Sequence, residues 1–486
     1  FSLSSLLHKS IITNQILSVK MSALSIFFSI LFCFLFSYGA ATHKIISLPD
    51  QPPVNFSQYS GYITVDVNHQ RNLFYYFVES EVNPSSKPVI LWLHGGPGCS
   101  AVGEAAFTQH GPFLVTPKGL VKNPFSWNKE ANVIYLDSPA GVGFSYSANT
   151  SDYIFLNDEF AARDHLVFLE HWFGEFSKFR TNDFFIAGES YAGHFAPQLA
   201  NLILQTKSKI NLKGIAIGNP LLEFDTDFNA MGEFLKLHGL ISNSTYEMLN
   251  NVCSYATMRR QLRATGKLST SCFQINIQME KEIDGYIDIF NILADLCPVP
   301  PEKQAYLLAK ERAGVKTNAC IRDDSFAYLN RKDVQSALHA KLVGVKVWST
   351  CSGVLVYDFQ NLENPTIYLL GTLVKAGVRV LAYSGDQDAV IPFIATESLI
   401  YGLARDLGLN ITRHHEAWFQ GGQVAGWTQV YGNILTFATV RGAGHSTPLS
   451  QPERSLEMLK AFLKGKPLPK RPPFPIKKGL TSHSRI

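Results

Sequence analysis

Short, continuous apolar runs recur along most of the chain and predict strands. Each run holds five or six residues and is rich in valine, isoleucine or aromatic side chains. Runs of this kind are typical of strands that are buried on both faces of a sheet. We predict strands at LFYYFV (73–78), VILWL (89–93), NVIYL (132–136), DFFIA (183–187), KGIAI (213–217) and VRVLAY (378–383).

Amphipathic segments lie between several of these runs and predict helices. The clearest are residues 157–176 and 191–205, and a further helix is expected within 365–377. Strands that alternate with helices favour an α/β fold with a mostly parallel central sheet.

The alternation breaks between residues 222 and 331, which hold four of the seven cysteines. We interpret this stretch as a helical, disulfide-stapled insertion that covers the sheet. Its basic run RRQLRATGKLST (259–270) is interpreted as a solvated loop, with a proteolytic processing site as the alternative.

The N-terminal region carries an apolar run, LSIFFSILFCFLF (24–36), followed by small residues. Thirteen residues are too few to cross a bilayer, which takes roughly 20. We therefore predict a secretory signal peptide that is cleaved near Ala41, with Met21 as the start of translation. A short membrane anchor is the alternative. No later apolar stretch approaches 18 residues, so we expect a soluble mature protein.

These patterns give a predicted domain organisation. The parts are a leader and signal peptide (1–41), a first core part (42–221), the insertion or cap (222–331), a second core part (332–465) and a basic, proline-rich flexible tail (466–486).

Cysteine content and glycosylation motifs agree with export. Signal cleavage removes Cys33 and leaves an even number of cysteines, but the sequence alone does not choose their pairing. No Cys-x-x-Cys pair occurs, which argues against a structural zinc site. Four N-x-[ST] motifs support passage through the secretory pathway. They lie at Asn55, Asn149, Asn243 and Asn410.

The net charge of +4 belongs to the ends of the chain. Two of the 43 basic residues lie in 1–41 and seven in 464–486, where no Asp or Glu occurs. The intervening part keeps 34 basic and 39 acidic residues, a net charge of −5. Because the body is acidic, we expect no nucleic-acid partner.

The strongest chemical signal is FFIAGESYAGHFAPQLA (184–200), in which a predicted strand leads into a helix. Ser190 stands at the apex of this turn, as in the nucleophile elbow of α/β-hydrolases. Ala192 replaces the last glycine of the strict G-x-S-x-G pattern, a small change. The Tyr191 N–H lies at the helix N-terminus, where a free donor and the helix dipole can stabilise an oxyanion.

A second glycine-rich segment ends the predicted strand of VILWLHGGPGCS (89–100). Glycines there let backbone N–H groups approach a reacting carbonyl group without obstruction by side chains. We predict that the N–H groups of Gly96 and Tyr191 form the oxyanion hole.

A serine nucleophile needs a histidine base and a carboxylate to orient it. In α/β-hydrolases the chain order is serine, acid, histidine. Asp388 in YSGDQDAVIP (383–392) and His445 in TVRGAGHSTP (439–448) both follow late predicted strands. Three other histidines are interpreted as structural, because they lie in predicted helix or strand. These are His339, His414 and His415.

Together these motifs resemble the serine carboxypeptidase family of α/β-hydrolases, and plant serine carboxypeptidase-like proteins in particular. The resemblance covers roughly residues 45–470. The matching runs are WLHGGPGCS, NPFSWNKEANVIYLDSPAGVGFSYS, GESYAGHFAPQLA, GIAIGNPLLEFDTDFNAMGEF, SGDQDAVIP and TVRGAGHSTPLSQPERSL. The resemblance implies an α/β-hydrolase fold, with Ser190 as nucleophile, His445 as base and Asp388, the second aspartate of its motif, as the orienting acid.

The resemblance carries further expectations. It implies peptide substrates with a free C-terminus, and secreted or vacuolar glycoproteins that are often homodimers and sometimes cleaved within the insertion. Serine acyl chemistry needs no metal or cofactor. The implied disulfides are Cys99–Cys351, Cys253–Cys272 and Cys297–Cys320.

Glu189 fits a role in recognising the substrate. A protonated carboxyl beside the nucleophile can donate to a peptide's terminal carboxylate, which implies a preference for acidic pH. The chain departs from the family pattern at two positions of this network. His94 stands where the family usually has Asn, and Gln109 where it usually has a second carboxyl. His94 can still donate a hydrogen bond and, as a cation at acidic pH, pair with a carboxylate.

These departures leave alternatives to a carboxypeptidase open. Some family members are acyltransferases that use glucose esters as donors, while the GESYAGH and GIAIGNPLLEFDTDFN runs favour the peptidase branch. A non-catalytic binding protein on the same fold is a third reading, which the complete Ser, Asp and His set argues against.

Overall fold

A computed structural model describes residues 43–154, 156–283, 285–298 and 319–471 of the chain. The predicted leader and signal peptide, Cys33 and residues 472–486 of the predicted tail lie outside the described residues. None of the helices in these described ranges is both long and apolar enough to cross a membrane.

The central element is an 11-stranded sheet, and a two-stranded hairpin lies beside it. The strands are β1 (Lys44–Ile45), β2 (Gln58–Asp66), β3 (Arg71–Val78), β4 (Val89–Leu93), β5 (Phe113–Thr116), β6 (Gly119–Lys122), β7 (Asn132–Leu136), β8 (Phe184–Glu189), β9 (Leu212–Gly218), β10 (Arg379–Gly385), β11 (Ile411–Gln420), β12 (Gln423–Tyr431) and β13 (Leu435–Val440). The sheet order is β1-β2-β3-β7-β4-β8-β9-β10-β13-β12-β11, and β5 pairs with β6.

The six central strands, from β7 to β13 in the sheet order, pair in parallel, while the outer strands are antiparallel. Leu93 at the end of β4 pairs with Leu136 and with Gly188. Gly385 at the end of β10 likewise pairs with Val440. The carboxyl ends of the strands therefore line one edge of the sheet, where ligand sites of open α/β sheets form.

Both faces of the sheet are buried, as the continuous apolar runs predict. Along β4, Ile90 and Trp92 pack in one hydrophobic cluster, and Leu91 and Leu93 pack in the other. Successive side chains of a strand point to opposite faces, so a strand covered on both faces must be apolar throughout. All six predicted strands are found, with bounds that differ by at most two residues.

Helices cover the two faces of the sheet and form the inserted region. They are α1 (Asp158–Glu175), α2 (Ala192–Gln205), α3 (Phe224–Leu237), α4 (Asn243–Asn251), α5 (Tyr255–Thr265), α6 (Thr270–Ile283), α7 (Ile321–Leu329), α8 (Lys332–Ala337), α9 (Ile367–Lys375), α10 (Phe393–Asp406), α11 (Thr447–Ser450) and α12 (Pro452–Leu463). The predicted helix at 157–176 begins one residue later, because Asn157 is its N-cap and accepts a hydrogen bond from the Phe160 N–H.

The segment predicted as an insertion contains α3 to α7, with a hydrophobic cluster of its own. Our interpretation of the basic run 259–270 as a loop is wrong, because α5 continues to Thr265 and α6 begins at Thr270. Arg260 and Arg263 form ion pairs with Glu363, which ties the helix to the second core part.

The structure contains three disulfides, Cys99–Cys351, Cys253–Cys272 and Cys297–Cys320. They are the pairs that the family resemblance implies. The first joins the glycine loop after β4 to a distant loop, and the other two lie in the 222–331 segment.

A buried carboxyl group at the first turn of α3 gives a test of this fold. Asp227 is fully buried, and its Oδ2 accepts hydrogen bonds from the N–H groups of Leu222 and Glu223. Its Oδ1 has no hydrogen-bond partner in the described structure. Burial raises the pKa of Asp227 to about 7. The folded protein therefore binds a proton that the unfolded chain releases.

This binding predicts a pH-dependent difference between the native protein and Asp227→Asn. Because the pKa of Asp227 is higher in the folded state than in the unfolded chain, its contribution to the free energy of unfolding is most favourable below about pH 4. That contribution is lost as the pH rises towards 7. Asp227→Asn stays neutral, so its free energy of unfolding relative to the native protein should increase by on the order of 3 kcal/mol from pH 4.5 to 7.5. Chemical denaturation at both pH values measures it.

The matched control is Asp225→Asn on the same helix, whose exposed side chain pairs with Arg260. The Arg260 guanidinium lowers the pKa of Asp225. That carboxyl is already ionised across the tested range, so its difference from the native protein should stay constant. A constant difference for Asp227→Asn as well would contradict the assignment.

Candidate active site

Ser190 occupies a tight turn between β8 and α2. Its φ angle is 63°, a left-handed conformation that is unusual for a residue other than glycine. The Ser190 N–H donates to the Gly218 carbonyl, and the Ser190 carbonyl accepts from the N–H groups of Gly193 and Leu221. These bonds fix the turn, whose geometry is that of a nucleophile elbow.

The residues around the turn must be small. A Cβ at Gly188 would lie 2.4 Å from the Leu93 carbonyl oxygen and 2.5 Å from the Ala192 Cβ. A Cβ at Gly193 would lie 2.4 Å from the Leu221 carbonyl oxygen. Position 192 accommodates the single methyl group of alanine, so the departure from strict G-x-S-x-G leaves the turn intact.

The glycine loop after β4 lies directly against this turn. A Cβ at Gly95 would stand 2.7 Å from both the Ser190 Cβ and the Tyr191 nitrogen. Gly96 has a φ of 117°, which other residues rarely adopt. In the described structure the N–H groups of Gly96 and Tyr191 have no acceptor, so both donors are available to an oxyanion.

His445 and Asp388 form a buried pair on loops after β13 and β10. Their exposed fractions are 6% and 0%, and His445 Nδ1 lies 2.7 Å from Asp388 Oδ2. A carboxylate only accepts, so the ring donates its Nδ1–H. Asp386, the other aspartate of the motif, instead accepts from the Gly442 N–H.

Asp388 is held by several donors besides His445. Asn219 Nδ2 donates to its Oδ2 over 2.8 Å, and the N–H groups of Val390 and Ile391 donate over 2.9 and 3.2 Å. A carboxylate with this many donors has a fixed orientation, and it in turn fixes the tautomer and plane of the histidine ring.

The backbone and ring of Phe290 hold His445 from the other side. The His445 N–H donates to the Phe290 carbonyl over 2.6 Å, and the two rings meet edge to face at 5.3 Å. Burial disfavours the charged ring, but the Asp388 carboxylate outweighs burial and raises the pKa of His445. Within the described residues the Ser190 hydroxyl makes no hydrogen bond. Such contacts often form only when substrate is bound.

Glu189 lies in a buried polar cluster next to Ser190. Its Oε1 accepts from Gln109 Nε2 over 3.1 Å and from Ser446 Oγ over 3.0 Å. Its Oε2 and the Gln109 Oε1 are buried without a partner in the described structure. Burial raises the pKa of Glu189. The cluster therefore has unused polar atoms beside Ser190.

His94 joins this cluster as a neutral group. Its Nδ1 lies 3.6 Å from Glu189 Oε1, too far for a hydrogen bond, and is otherwise unpaired in the described structure. Burial lowers the pKa of His94 to about 3. The expectation that His94 is a cation at acidic pH is therefore wrong, because its ring stays neutral well below pH 5.

The other histidines lie elsewhere. His414 and His415 are exposed on β11. His339 lies just beyond the end of α8, with its Nδ1 3.2 Å from the Ser60 carbonyl. No described contact joins any of them to Ser190 or Asp388.

Several residues of the site have no role predicted from the sequence. They are Asn219, Phe290, Ser446, and the ion pair of Glu104 with Arg322. Asn219 and Ser446 lie within the matching runs, and Asn219 also follows the end of β9 directly, which places it at the carboxyl edge of the sheet.

One group of potential metal ligands occurs in the described residues, namely Cys297, Cys320 and Asp323, whose ligand atoms lie within 4.8 Å of one another. The two sulfurs form a disulfide, so the thiolates that bind metals are not present.

Comparisons with known proteins give the family. The sequence profile described as serine carboxypeptidase matches residues 49–465. Serine carboxypeptidase-like 45 of Arabidopsis thaliana is 52% identical over 431 residues, which cover 88% of this chain and 93% of the relative. Serine carboxypeptidase-like 46 of the same plant is 49% identical over 433 residues, covering 88% and 92%.

A solved structure shows the same fold. The Kex1 protein of Saccharomyces cerevisiae, described as a prohormone-processing carboxypeptidase, aligns with a TM-score of 0.68 at 21% identity. The alignment covers 87% of this chain and 96% of that chain. The resemblance seen in the motifs and the expected α/β-hydrolase fold are both confirmed. The chain belongs to the serine carboxypeptidase family of hydrolases.

Proposed function

We propose that the protein releases C-terminal amino acids from peptides at acidic pH. In this mechanism the Ser190 oxygen attacks the last peptide carbonyl while His445 accepts its proton. Asp388 orients the ring and stabilises its charged form, and the Gly96 and Tyr191 N–H groups stabilise the oxyanion. His445 then protonates the departing amine. Water hydrolyses the acyl-enzyme by the same steps and restores the serine.

The observation that carries this proposal is the buried His445–Asp388 pair, 2.7 Å apart, at the sheet edge that presents Ser190. A buried histidine and carboxylate at the ends of adjacent strands, close to a strained serine turn at the same edge, are typical of a catalytic base and its orienting acid. The two unused backbone donors of the glycine loop and the turn add the electrostatic part of the mechanism.

Recognition of the free C-terminus would fall to the Glu189 cluster. Ser446 and Gln109 both donate to Glu189 Oε1, which leaves the unpaired Oε2 to carry the proton. A protonated Oε2 can donate to a substrate carboxylate, and neutral His94 can donate through its unpaired Nδ1. Because burial raises the pKa of Glu189, the proton is retained to a higher pH than on an exposed glutamate.

Acyl transfer from a glucose ester is the second candidate. It is favoured by the two changes in the recognition network, where His94 and Gln109 stand in place of the usual asparagine and carboxyl. The same serine, histidine and oxyanion donors would form the acyl-enzyme, and an acceptor hydroxyl would replace water.

We further propose that the protein is exported and glycosylated, and that it acts in the vacuole or outside the cell. Disulfides form in oxidising compartments, and the structure contains three. The side chains of Asn55, Asn243 and Asn410 are exposed, and Asn149 is half-buried. The homodimer stays a prediction from the resemblance.

A fluorophosphonate probe tests the nucleophile. We expect the purified protein to be labelled at Ser190 and Ser190→Ala to remain unlabelled, because phosphonylation needs the activated hydroxyl. Peptidase activity of Ser190→Ala should fall by roughly 10⁴- to 10⁶-fold. Mass spectrometry of the labelled peptide identifies the modified residue.

Ser244→Ala is the control, since Ser244 is an exposed hydroxyl on α4 outside the site. It should label like the native protein. A native protein that resists the probe would exclude every mechanism with a serine nucleophile.

The proton on Glu189 predicts the pH dependence of substrate binding. As the pH rises through the pKa of Glu189, the group ionises and repels the substrate carboxylate, so KM should rise. Glu189→Gln cannot ionise, so its KM should change little between pH 4.5 and 7.5. Steady-state kinetics with a blocked dipeptide measures this.

The kcat profile separates the base from the binding group. His445 must be neutral to accept the serine proton, so kcat should fall at acidic pH in both proteins. If the KM of Glu189→Gln rises with pH as steeply as that of the native protein, Glu189 is not the titrating group.

Two substrates at about pH 5 separate the candidate reactions. With a blocked dipeptide, we expect release of the free C-terminal amino acid, detected by chromatography. With a glucose ester and an alcohol, we expect little transfer to the alcohol. Ester exchange without peptide cleavage would reject the carboxypeptidase in favour of the acyltransferase.

A further inference from the structure

An arginine from the 222–331 segment reaches the edge of the site. Arg322 stands at the start of α7, and its Nε lies 3.0 and 3.2 Å from the two carboxylate oxygens of Glu104. The Arg322 side chain is 46% exposed, while that of Glu104 is 6% exposed. The buried carboxylate thus holds a guanidinium that remains open to solvent.

This ion pair interacts electrostatically with Glu189. Glu104 belongs to the helical turn Val102–Ala106, and Gln109, a few residues further along, donates to Glu189. Burial is the main cause of the lowered pKa of His94, and the nearby charge of Arg322 lowers it further. On His445, whose pKa Asp388 raises against the effect of burial, the charge of Arg322 also acts to lower the pKa. Arg322 is therefore within electrostatic reach of the base and of the recognition residues.

The remaining donors of Arg322 are unused. Its Nη1 and Nη2 make no hydrogen bond within the described residues, so both ends of the fork can meet a ligand. The segment is already anchored by the Cys297–Cys320 disulfide and by Ser325 Oγ, which donates to the Gly103 carbonyl over 3.2 Å. Arg322 is therefore not needed to hold α7 in place, so an anchoring role does not explain why its guanidinium is open to solvent.

Arg322 carries a fixed positive charge, whereas the polar groups of the neighbouring cluster are neutral. His94 is neutral, and Glu189 is neutral when protonated. The carboxylate of Asp288 also acts on Arg322, and its Oδ1 accepts from the Phe290 N–H. A terminal carboxylate bound at the Glu189 cluster would thus meet neutral donors, and a second carboxylate would find its partner in Arg322.

We propose that Arg322 binds a side-chain carboxylate of the departing residue, so that the site favours peptides ending in Glu or Asp. The two Nη groups match the two oxygens of a carboxylate, and Glu104 fixes the orientation of the fork. This proposal rests on the proposed function, since it places the terminal carboxylate at Glu189.

Binding to Ser190→Ala tests the proposal without turnover. Two blocked dipeptides that end in Glu or in Gln have the same shape and differ in one charge. Calorimetry at about pH 5.5 should give a Kd roughly tenfold lower for the Glu peptide. Adding Arg322→Gln should bring the ratio of the two Kd values close to one.

Two further variants serve as controls for folding and for the loss of an arginine. Arg322→Gln with Glu104→Gln avoids a buried, unpaired carboxylate and should show the same loss of preference if the single variant folds poorly. Arg331→Gln removes another arginine that pairs with Asp50 and Asp333, and should keep the native ratio.

Each outcome decides a separate question. Equal Kd values in the native-arginine background, or a preference that survives Arg322→Gln, would overturn the role of Arg322. A clear preference of Ser190→Ala for the Glu peptide, together with no hydrolysis of either peptide by the native protein, would uphold Arg322 and reject the proposed peptidase.

Discussion

The left-handed turn at Ser190 is the constraint on which the site depends. An L-residue in this conformation is strained, and the turn persists because its surroundings leave no other arrangement. The glycine loop after β4 comes so close that no Cβ fits at Gly95, and the start of α2 comes so close that none fits at Gly188. The same close approach brings the free N–H groups of Gly96 and Tyr191 towards the serine.

A buried carboxylate behind the turn explains how the strained conformation is held. Asp158 is 1% exposed and accepts hydrogen bonds from the hydroxyls of Tyr191 and Tyr357, from Gln198, and from His194 over 2.9 Å. Burial disfavours its charge, but these donors outweigh burial and lower the pKa of Asp158. Three of the four donors lie on the turn and on α2, so this one anion fixes the first turns of the helix that follows Ser190.

The sequence predicts those parts of the site that depend on local pattern. The strands are continuous apolar runs, and a serine among small residues after such a run can form few other structures, so Ser190, Asp388 and His445 are found at one sheet edge. Contacts between distant segments leave no such pattern. The Phe290 carbonyl that accepts the His445 N–H, and the α7 arginine that reaches Glu104, depend on how the 222–331 segment lies on the core. The prediction of a loop for the basic run is wrong for a similar reason. Arg260 of α5 pairs with Asp225 on α3 and with Glu363 beyond the inserted segment, and neither contact leaves a local pattern in the sequence.

The resemblance leads us to expect a second carboxyl at position 109, and Gln109 in its place changes what determines the pKa of Glu189. Two adjacent carboxyls share a proton because both cannot ionise at short distance, and that repulsion raises the pKa of the pair. Here Gln109 donates to Glu189 Oε1, which favours ionisation, so the raised pKa of Glu189 depends chiefly on burial. A proton on Glu189 would be localised on Oε2, since Oε1 already accepts from Gln109 and Ser446 and Oε2 is unpaired in the described structure. A second carboxyl would raise the pKa of Glu189, whereas the Gln109 amide lowers it, but the amide fixes the position of the Glu189 oxygen that would donate the proton.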